Sequence, residues 1–201
     1  MATINQPSSR GKPKGDKRER TRAKLLEAAR GLVREKGYER TTLEEVAARA
    51  GMTTGAIYGN FKNRDELFIA LGQAYWAPIR PKIAPGASFR DAMHAIARAT
   101  LASVEERTPV AVGRLTGLAY TLKSDGLRAR VHEVTRGSYE FGAAWLRTFD
   151  ASELPMPPEQ LVCVIHALME GLVMQRILTP DLCPDAVFYA AFDALARVNG
   201  S

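Results

Sequence analysis

The stretch TTLEEVAARAGMTTGAIYGNFKNRDELFIAL, residues 41–71, decides the fold of this chain. Thr42 stands three residues before Glu45, the spacing of a capping box, and Leu43, Val46, Ala47 and Ala50 then make one narrow apolar stripe. This predicts a short helix that Gly51 ends. Thr53 caps a second short helix, whose Ile57 and Phe61, four residues apart, turn inward and leave Thr54, Gly55, Tyr58 and Asn60 outside. Asn63 and Glu66 repeat the capping logic for a longer helix with Leu67, Leu71 and Tyr75 on one face. Two short helices joined by Gly51-Met52-Thr53 fit a helix-turn-helix, in which one helix braces against a duplex backbone and the next brings its first residues to base edges. Thr42 and Thr53, at helix starts, are candidate phosphate-binding caps, and Lys62 and Arg64 add cationic grip.

Charge points to the same end of the chain. Residues 1–64 hold 15 Lys and Arg against 7 Asp and Glu, a net of +8, whereas residues 65–201 hold 13 against 15, a net of −2. A basic segment joined to a near-neutral remainder implies that one part meets a polyanion and the other does something else. Upstream of the quoted stretch, Leu25, Leu26, Ala29, Leu32 and Val33 recur at helical spacing from Thr21 until Gly37. Residues 1–20 are basic and almost without apolar side chains; they predict a flexible arm, with residues 1–17 set apart from the domain. In that arm Arg18, Arg20 or Arg22 either follow phosphates or stay solvated.

Downstream, apolar periodicity predicts helices at about 87–107, 110–122, 125–149, 158–178 and 185–198. They are separated by Pro109, Ser124-Asp125-Gly126, the Pro155 to Pro158 cluster and Thr179-Pro180-Asp181. The expectation is an all-α chain of about nine helices, with a DNA-binding domain at 18–64 and a larger helical domain at 65–201. Only two cysteines, Cys163 and Cys183, occur, no apolar leader is evident, and charges or prolines interrupt the apolar runs, so a cytoplasmic protein that does not enter a membrane is expected.

Residues 41–71 resemble the DNA-binding signature of the tetracycline-repressor (TetR) family. The Thr42 cap, Val46-Ala47, Ala50-Gly51, the Gly55-x-Ile57-Tyr58 run, Phe61 and a basic residue before Glu66-Leu67 carry the likeness, which extends over about residues 18–75. The resemblance implies that Thr42 and Tyr58 bind phosphate, Thr54 and Gly55 approach base edges, and Arg64 occupies a phosphate-contacting position, with Asn60 and Lys62 as accessory contacts. Glu44 departs from the pattern, standing where several relatives have a base-reading arginine. It either accepts from a cytosine amino group or is a solvated carboxylate favoured by the helix dipole.

The resemblance further implies a ligand pocket within helices five to seven and a dimer interface from the last two helices. Pocket candidates, each equally readable as packed core, are Trp76, Met93, Tyr120, His132, Tyr139, Trp145 and Met169. The segment Leu161 to Leu178 is apolar nearly all round, as a helix shared between core and partner requires, and small alanines on the last helix permit close approach. Interface candidates are Leu161, Ile165, Leu168, Leu172, Phe188, Ala190 and Ala194.

Cys163, His166 and Glu170 share a helix face, but no second ligand pair lies nearby and no metal or cofactor is expected. The expected function is a ligand-responsive regulator, a repressor by family habit, binding double-stranded operator DNA as a homodimer with half-sites about 34–36 Å apart or a multiple, and released by a small-molecule effector. The alternative is a helical enzyme or small-molecule carrier with a basic N-terminus. Against it stands the lack of a phosphate-cradling glycine loop or a recognisable nucleophile and base set.

Overall fold

The computed structural model describes residues 14–197. Nine α-helices occur among them: α1 (Lys14–Lys36), α2 (Leu43–Arg49), α3 (Thr54–Tyr58), α4 (Arg64–Tyr75), α5 (Phe89–Arg107), α6 (Ala111–Leu122), α7 (Asp125–Leu146), α8 (Pro158–Leu178) and α9 (Asp185–Leu195). Single 3-10 turns lie at Thr108–Val110, Ala151–Glu153 and Pro180–Leu182, and the described residues form no strand. The chain divides into two compact units with the boundary inside α4, one ending at Leu71 and the other beginning at Gly72.

In the first unit α1 starts at Lys14, seven residues before the Thr21 expected from apolar spacing. Lys, Arg and Glu are good helix formers, and extending an existing helix costs far less than nucleating one, so the basic segment continues α1 without an apolar face of its own. Residues 1–13 of the expected arm lie outside the described residues. Leu25, Ala29, Val46, Ile57, Phe61 and Leu67 are buried, and Tyr38 packs edge-on against Phe68 with ring centroids 4.8 Å apart. Gly51 has φ +65°, a conformation that costs a residue with a side chain about 1–2 kcal/mol and that turns the chain from α2 to α3. Gly37, at φ +82°, ends α1 in the same way.

In the second unit α5 packs against α8 and α9, and α7 lies on α8. Phe89, Met93, Ile96, Leu146, Leu161, Ile165, Leu172, Phe188 and Phe192 form the core. At Gly142 an added Cβ would come within 2.5 Å of Val162 Cγ2, so the missing side chain lets α7 lie close on α8. By contrast α6 buries only Ala111, and the 22-residue α7 only Leu127, Ala143 and Leu146. By length and composition α8 is apolar enough to cross a membrane, although Glu170 and Arg176 interrupt its apolar run as expected. Its Leu161, Ile165, Leu172 and Val173 instead face the core of this chain.

Candidate nucleic-acid interface and ligand groove

The caps expected from sequence form at each short helix. Thr42 Oγ1 accepts from the Glu45 N–H at 3.2 Å, while the Thr42 N–H donates to Glu45 Oε2 at 3.0 Å. Lys36 also pairs with Glu45. That ammonium, followed by the Thr42 N–H, holds the Glu45 carboxyl down at about 2. Thr53 Oγ1 accepts from the Ala56 N–H at 3.2 Å, fixing the start of α3. Arg49 grips Glu35 with two hydrogen bonds of 2.6 and 2.5 Å, joining α2 to the end of α1. At α4, Asn63 Oδ1 accepts from the Glu66 N–H at 2.9 Å, but the Glu66 carboxylate takes the Lys62 N–H rather than that of Asn63.

With α3 anchored by buried Ile57, its other side is open. Thr54, Gly55 and Tyr58 are exposed, and a Cβ at Gly55 would meet nothing nearer than Thr53 Oγ1 at 3.9 Å. Thr42, Thr53 and Lys62 are exposed as well. The Tyr58 hydroxyl donates to Glu44 Oε1 at 2.9 Å. The Glu44 carboxyl sits below its ordinary range because its own backbone N–H, and then Tyr58, donate to it; the same contact pushes the Tyr58 phenol up.

Arg64, expected at a phosphate, Asn60, expected as an accessory contact, and Arg22, left open between phosphates and solvent, each make contacts within the chain. Asn60 is half-buried, and its amide donates to the Ala56 carbonyl at 2.8 Å. Arg22 donates to the Asn60 carbonyl at 3.0 Å and lies 4.4 Å over the Phe61 ring, clamping the end of α3. Arg64 donates to the Tyr38 carbonyl and lies 5.0 Å over Phe68. Sequence reasoning counted these groups by charge or polarity; neighbours 26 and 38 residues away leave no local signal.

The second unit holds a groove of about 830 Å³ between α6, α7 and the start of α8, within the roughly 300–1,000 Å³ of small-molecule sites. Of the seven pocket candidates, His132 and Tyr139 line it. Met93 is fully buried core, Trp145 and Met169 pack against that core, and Tyr120 lies on α6 outside the lining. Tyr139 OH lies 3.2 Å from His166 Nδ1, and burial first, then neighbouring Cys163, pushes its phenol up.

Trp76 belongs to a buried ionic hub that sequence reasoning missed. Its indole N–H sits 2.9 Å from each Glu170 carboxylate oxygen. Arg107, only 5% exposed, reaches Glu170 at 3.1 Å and the Ala77 carbonyl at 2.7 Å, and lies 4.5 Å over the Trp76 ring. Arg114 approaches Glu170 at 3.6 Å. Cys163 and His166 lie beside Tyr139, which also feels the Glu170 charge.

The interface candidates divide too. Leu161, Ile165, Leu172 and Phe188 are buried in the chain's own core, while Leu168 is half-buried against it. Ala190 and Ala194 are exposed on α9, and α8 carries an outward stripe of Val164, Ala167, Gly171 and Leu178 that the sequence pattern did not single out.

Among the described residues, which are all helical or irregular, the capped α2–turn–α3 head has the geometry of a helix-turn-helix. Residues 25–71 match the family model described as bacterial regulatory proteins, tetR family. It is 49% identical over 51 residues to the HTH-type transcriptional regulator TtgR of Pseudomonas putida, a match covering 25% of this chain and 24% of that protein. The chain thus spans about a quarter of the length of the first curated relatives it matches. A longer match, 29% identical over 175 residues, covers 84% of the chain and 87% of the HTH-type transcriptional regulator BetI of Paraburkholderia phymatum. Among solved structures, the SmeT–triclosan complex superposes with TM-score 0.58 at 23% identity, over 88% of this chain and 90% of that one. SmeT is described as the repressor of the Stenotrophomonas maltophilia multidrug efflux pump SmeDEF. That likeness establishes the shared fold.

Proposed function

We propose that this chain is a cytoplasmic, ligand-responsive transcriptional repressor, which binds a palindromic operator as a homodimer and leaves it when a small-molecule effector occupies the groove along α7. No catalytic step is involved. The observation that carries this reading is the α3 surface, where Thr54, Gly55 and Tyr58 stand exposed on a helix fixed from behind by Ile57 and from its end by Arg22. Thr54 and Gly55 are assigned to base edges, and Thr42, Thr53, Tyr58 and Lys62 to phosphates. Arg22, Asn60 and Arg64 position the head.

The effector role of the groove is supported by its volume and by the thin packing of α6 and α7, which lets an occupant shift those helices at little cost in core contacts. That SmeT was solved with triclosan agrees with a small-molecule role for a unit of this fold. The homodimer is assigned to the outward stripe of α8 with Ala190 and Ala194 of α9, whose small side chains permit close helix approach.

Band-shift titration on the DNA upstream of the chain's own gene tests the reading. A repressor of this kind binds that fragment at least about a thousandfold more tightly than scrambled DNA. Equal affinity for both fragments would instead support an enzyme or carrier with a merely basic N-terminus.

A further inference from the structure

The charge along the α7 groove is uneven, and this selects among ligand classes. Two rows of side chains at four-residue spacing form its α7 wall. The first, Val131, Thr135, Tyr139 and Ala143, is apolar or hydroxylic; beside it run Arg128, His132, Arg136 and Glu140. Leu118, Thr121 and Leu122 of α6 face the Arg128 end, and Glu159 and Val162 of α8 face the other, where Arg147 also lies. From Arg128 to Arg147 the wall is about 28 Å long at 1.5 Å per helical residue.

At the α6 end the lining includes Arg128, His132 and Arg136 and no carboxylate. The partners of these arginines, Asp125 and Glu133, are exposed residues outside the lining. Exposed pairs of this kind are worth about 0–1 kcal/mol, so a ligand anion can replace either carboxylate at small cost. At the α8 end Arg147 is paired with Glu159, and Glu140 adds a negative charge. Within the lining, cationic side chains thus gather toward the α6 end and both carboxylates toward the α8 end, with the apolar row of Val131, Tyr139 and Ala143 alongside.

We infer that the groove takes an elongated amphipathic anion: a carboxylate, or a comparable acid, held by Arg128 and Arg136, with an apolar chain laid along Val131, Tyr139, Ala143 and Val162. A lipophilic cation would have to place its charge at Glu140, where Arg147 and Arg136 lie one or two helical turns away. Thr135, in the same lining, supplies a hydroxyl that can donate to an acid head group. This inference rests on the reading of the groove as the effector site and adds the ligand's charge and shape.

Calorimetric titration of the full-length protein with three ten-carbon probes separates the two claims. The probes are sodium decanoate, decyltrimethylammonium chloride and decan-1-ol, each below its aggregation concentration. Decanoate is expected to bind at least tenfold more tightly than the cation. The double variant Arg128→Gln, Arg136→Gln should weaken decanoate about tenfold and leave decan-1-ol unchanged, while Glu140→Gln leaves decanoate unchanged or slightly tighter. Thr135→Trp, which fills a half-buried groove position, should weaken all probes, with circular dichroism checking that helix content is retained. If Thr135→Trp retains helix and changes no affinity, the groove reading itself fails. If it blocks binding but the cation is preferred, or the double variant binds decanoate normally, the groove stands and the anion assignment is overturned.

Discussion

The Tyr58 hydroxyl donates a 2.9 Å hydrogen bond to Glu44, placing a carboxylate against the exposed aromatic side chain of α3. A phenol has one proton to donate, so Tyr58 reaches a phosphate only by giving up Glu44, whose negative charge also repels the duplex. Glu44→Gln should therefore tighten binding to non-specific DNA and steepen the salt dependence by up to about one unit, because one anion is removed from the interface. Tyr58→Phe should weaken operator binding by about 1 kcal/mol, the usual worth of a single hydrogen bond. Fluorescence anisotropy over a salt series reads both. Weaker operator binding by Glu44→Gln would instead identify Glu44 as a base reader accepting from cytosine.

Glu170 holds the Trp76 indole, Arg107 and Arg114 together, and Arg107 is nearly inaccessible to water. Removing one partner of a fully buried pair costs about 3–5 kcal/mol because a charge is left without compensation. The Glu170 side chain keeps 27% of its exposure, which moderates the loss. Glu170→Gln is expected to lower stability by about 2–3 kcal/mol, read from the midpoint shift in urea denaturation. A change below about 0.5 kcal/mol would mean that water already compensates Arg107 in the variant.

What was legible in the sequence was local. The Thr42–Glu45 box, the Thr53 cap and the glycine turn at Gly51 are settled within a few residues, and all three form. So are the starts of α6, α7 and α8, within one residue of those expected from the separators. Long-range partnership was not legible: Trp76 meets Glu170 across 94 residues, and no periodicity marks the pair. A near-uniform apolar helix such as α8 offers no polar side to indicate which stripe turns inward, so Leu161, Ile165 and Leu172 read equally well as core or interface. Asn60 and Arg64 read as DNA contacts, and Arg22 as either a phosphate contact or a solvated residue, because composition reports charge and polarity without the ring or carbonyl that each one meets.

Glu45 gives the reading head an acid sensitivity of definite sign. Its carboxyl titrates at about 2 in the folded protein against 4.5 as the ordinary value, with Lys36 the larger cause and the Thr42 N–H the next. A lowered folded value means that its stabilisation is complete above about pH 5 and is lost as pH falls through 4.5 toward 2. Glu45→Gln keeps an acceptor for the Thr42 N–H but loses the charge. The wild type should be the more stable near neutrality, and the gap to the variant should close on acidification across that window. Urea denaturation followed by circular dichroism at successive pH values measures the gap. A gap that stays constant down to about pH 3 would remove the Lys36–Glu45 pair as its cause.

Ala190 and Ala194 lie one turn apart on the open side of α9, while Phe188 and Phe192 hold the opposite side in the core. A glutamate at Ala190 disturbs nothing in the isolated chain, since the position faces outward. In a dimer built on this face it becomes a buried charge without a partner, at a cost of several kcal/mol. Ala190→Glu should leave helix content unchanged and shift the protein to monomer in light scattering. Operator affinity should fall with it, because the two reading heads no longer bind as a linked pair. Phe188→Ala provides the contrast: it opens the chain's own core and should cost about 3–5 kcal/mol of stability. A dimer that survives Ala190→Glu at micromolar concentration would place the interface on another surface and leave the α8 stripe exposed.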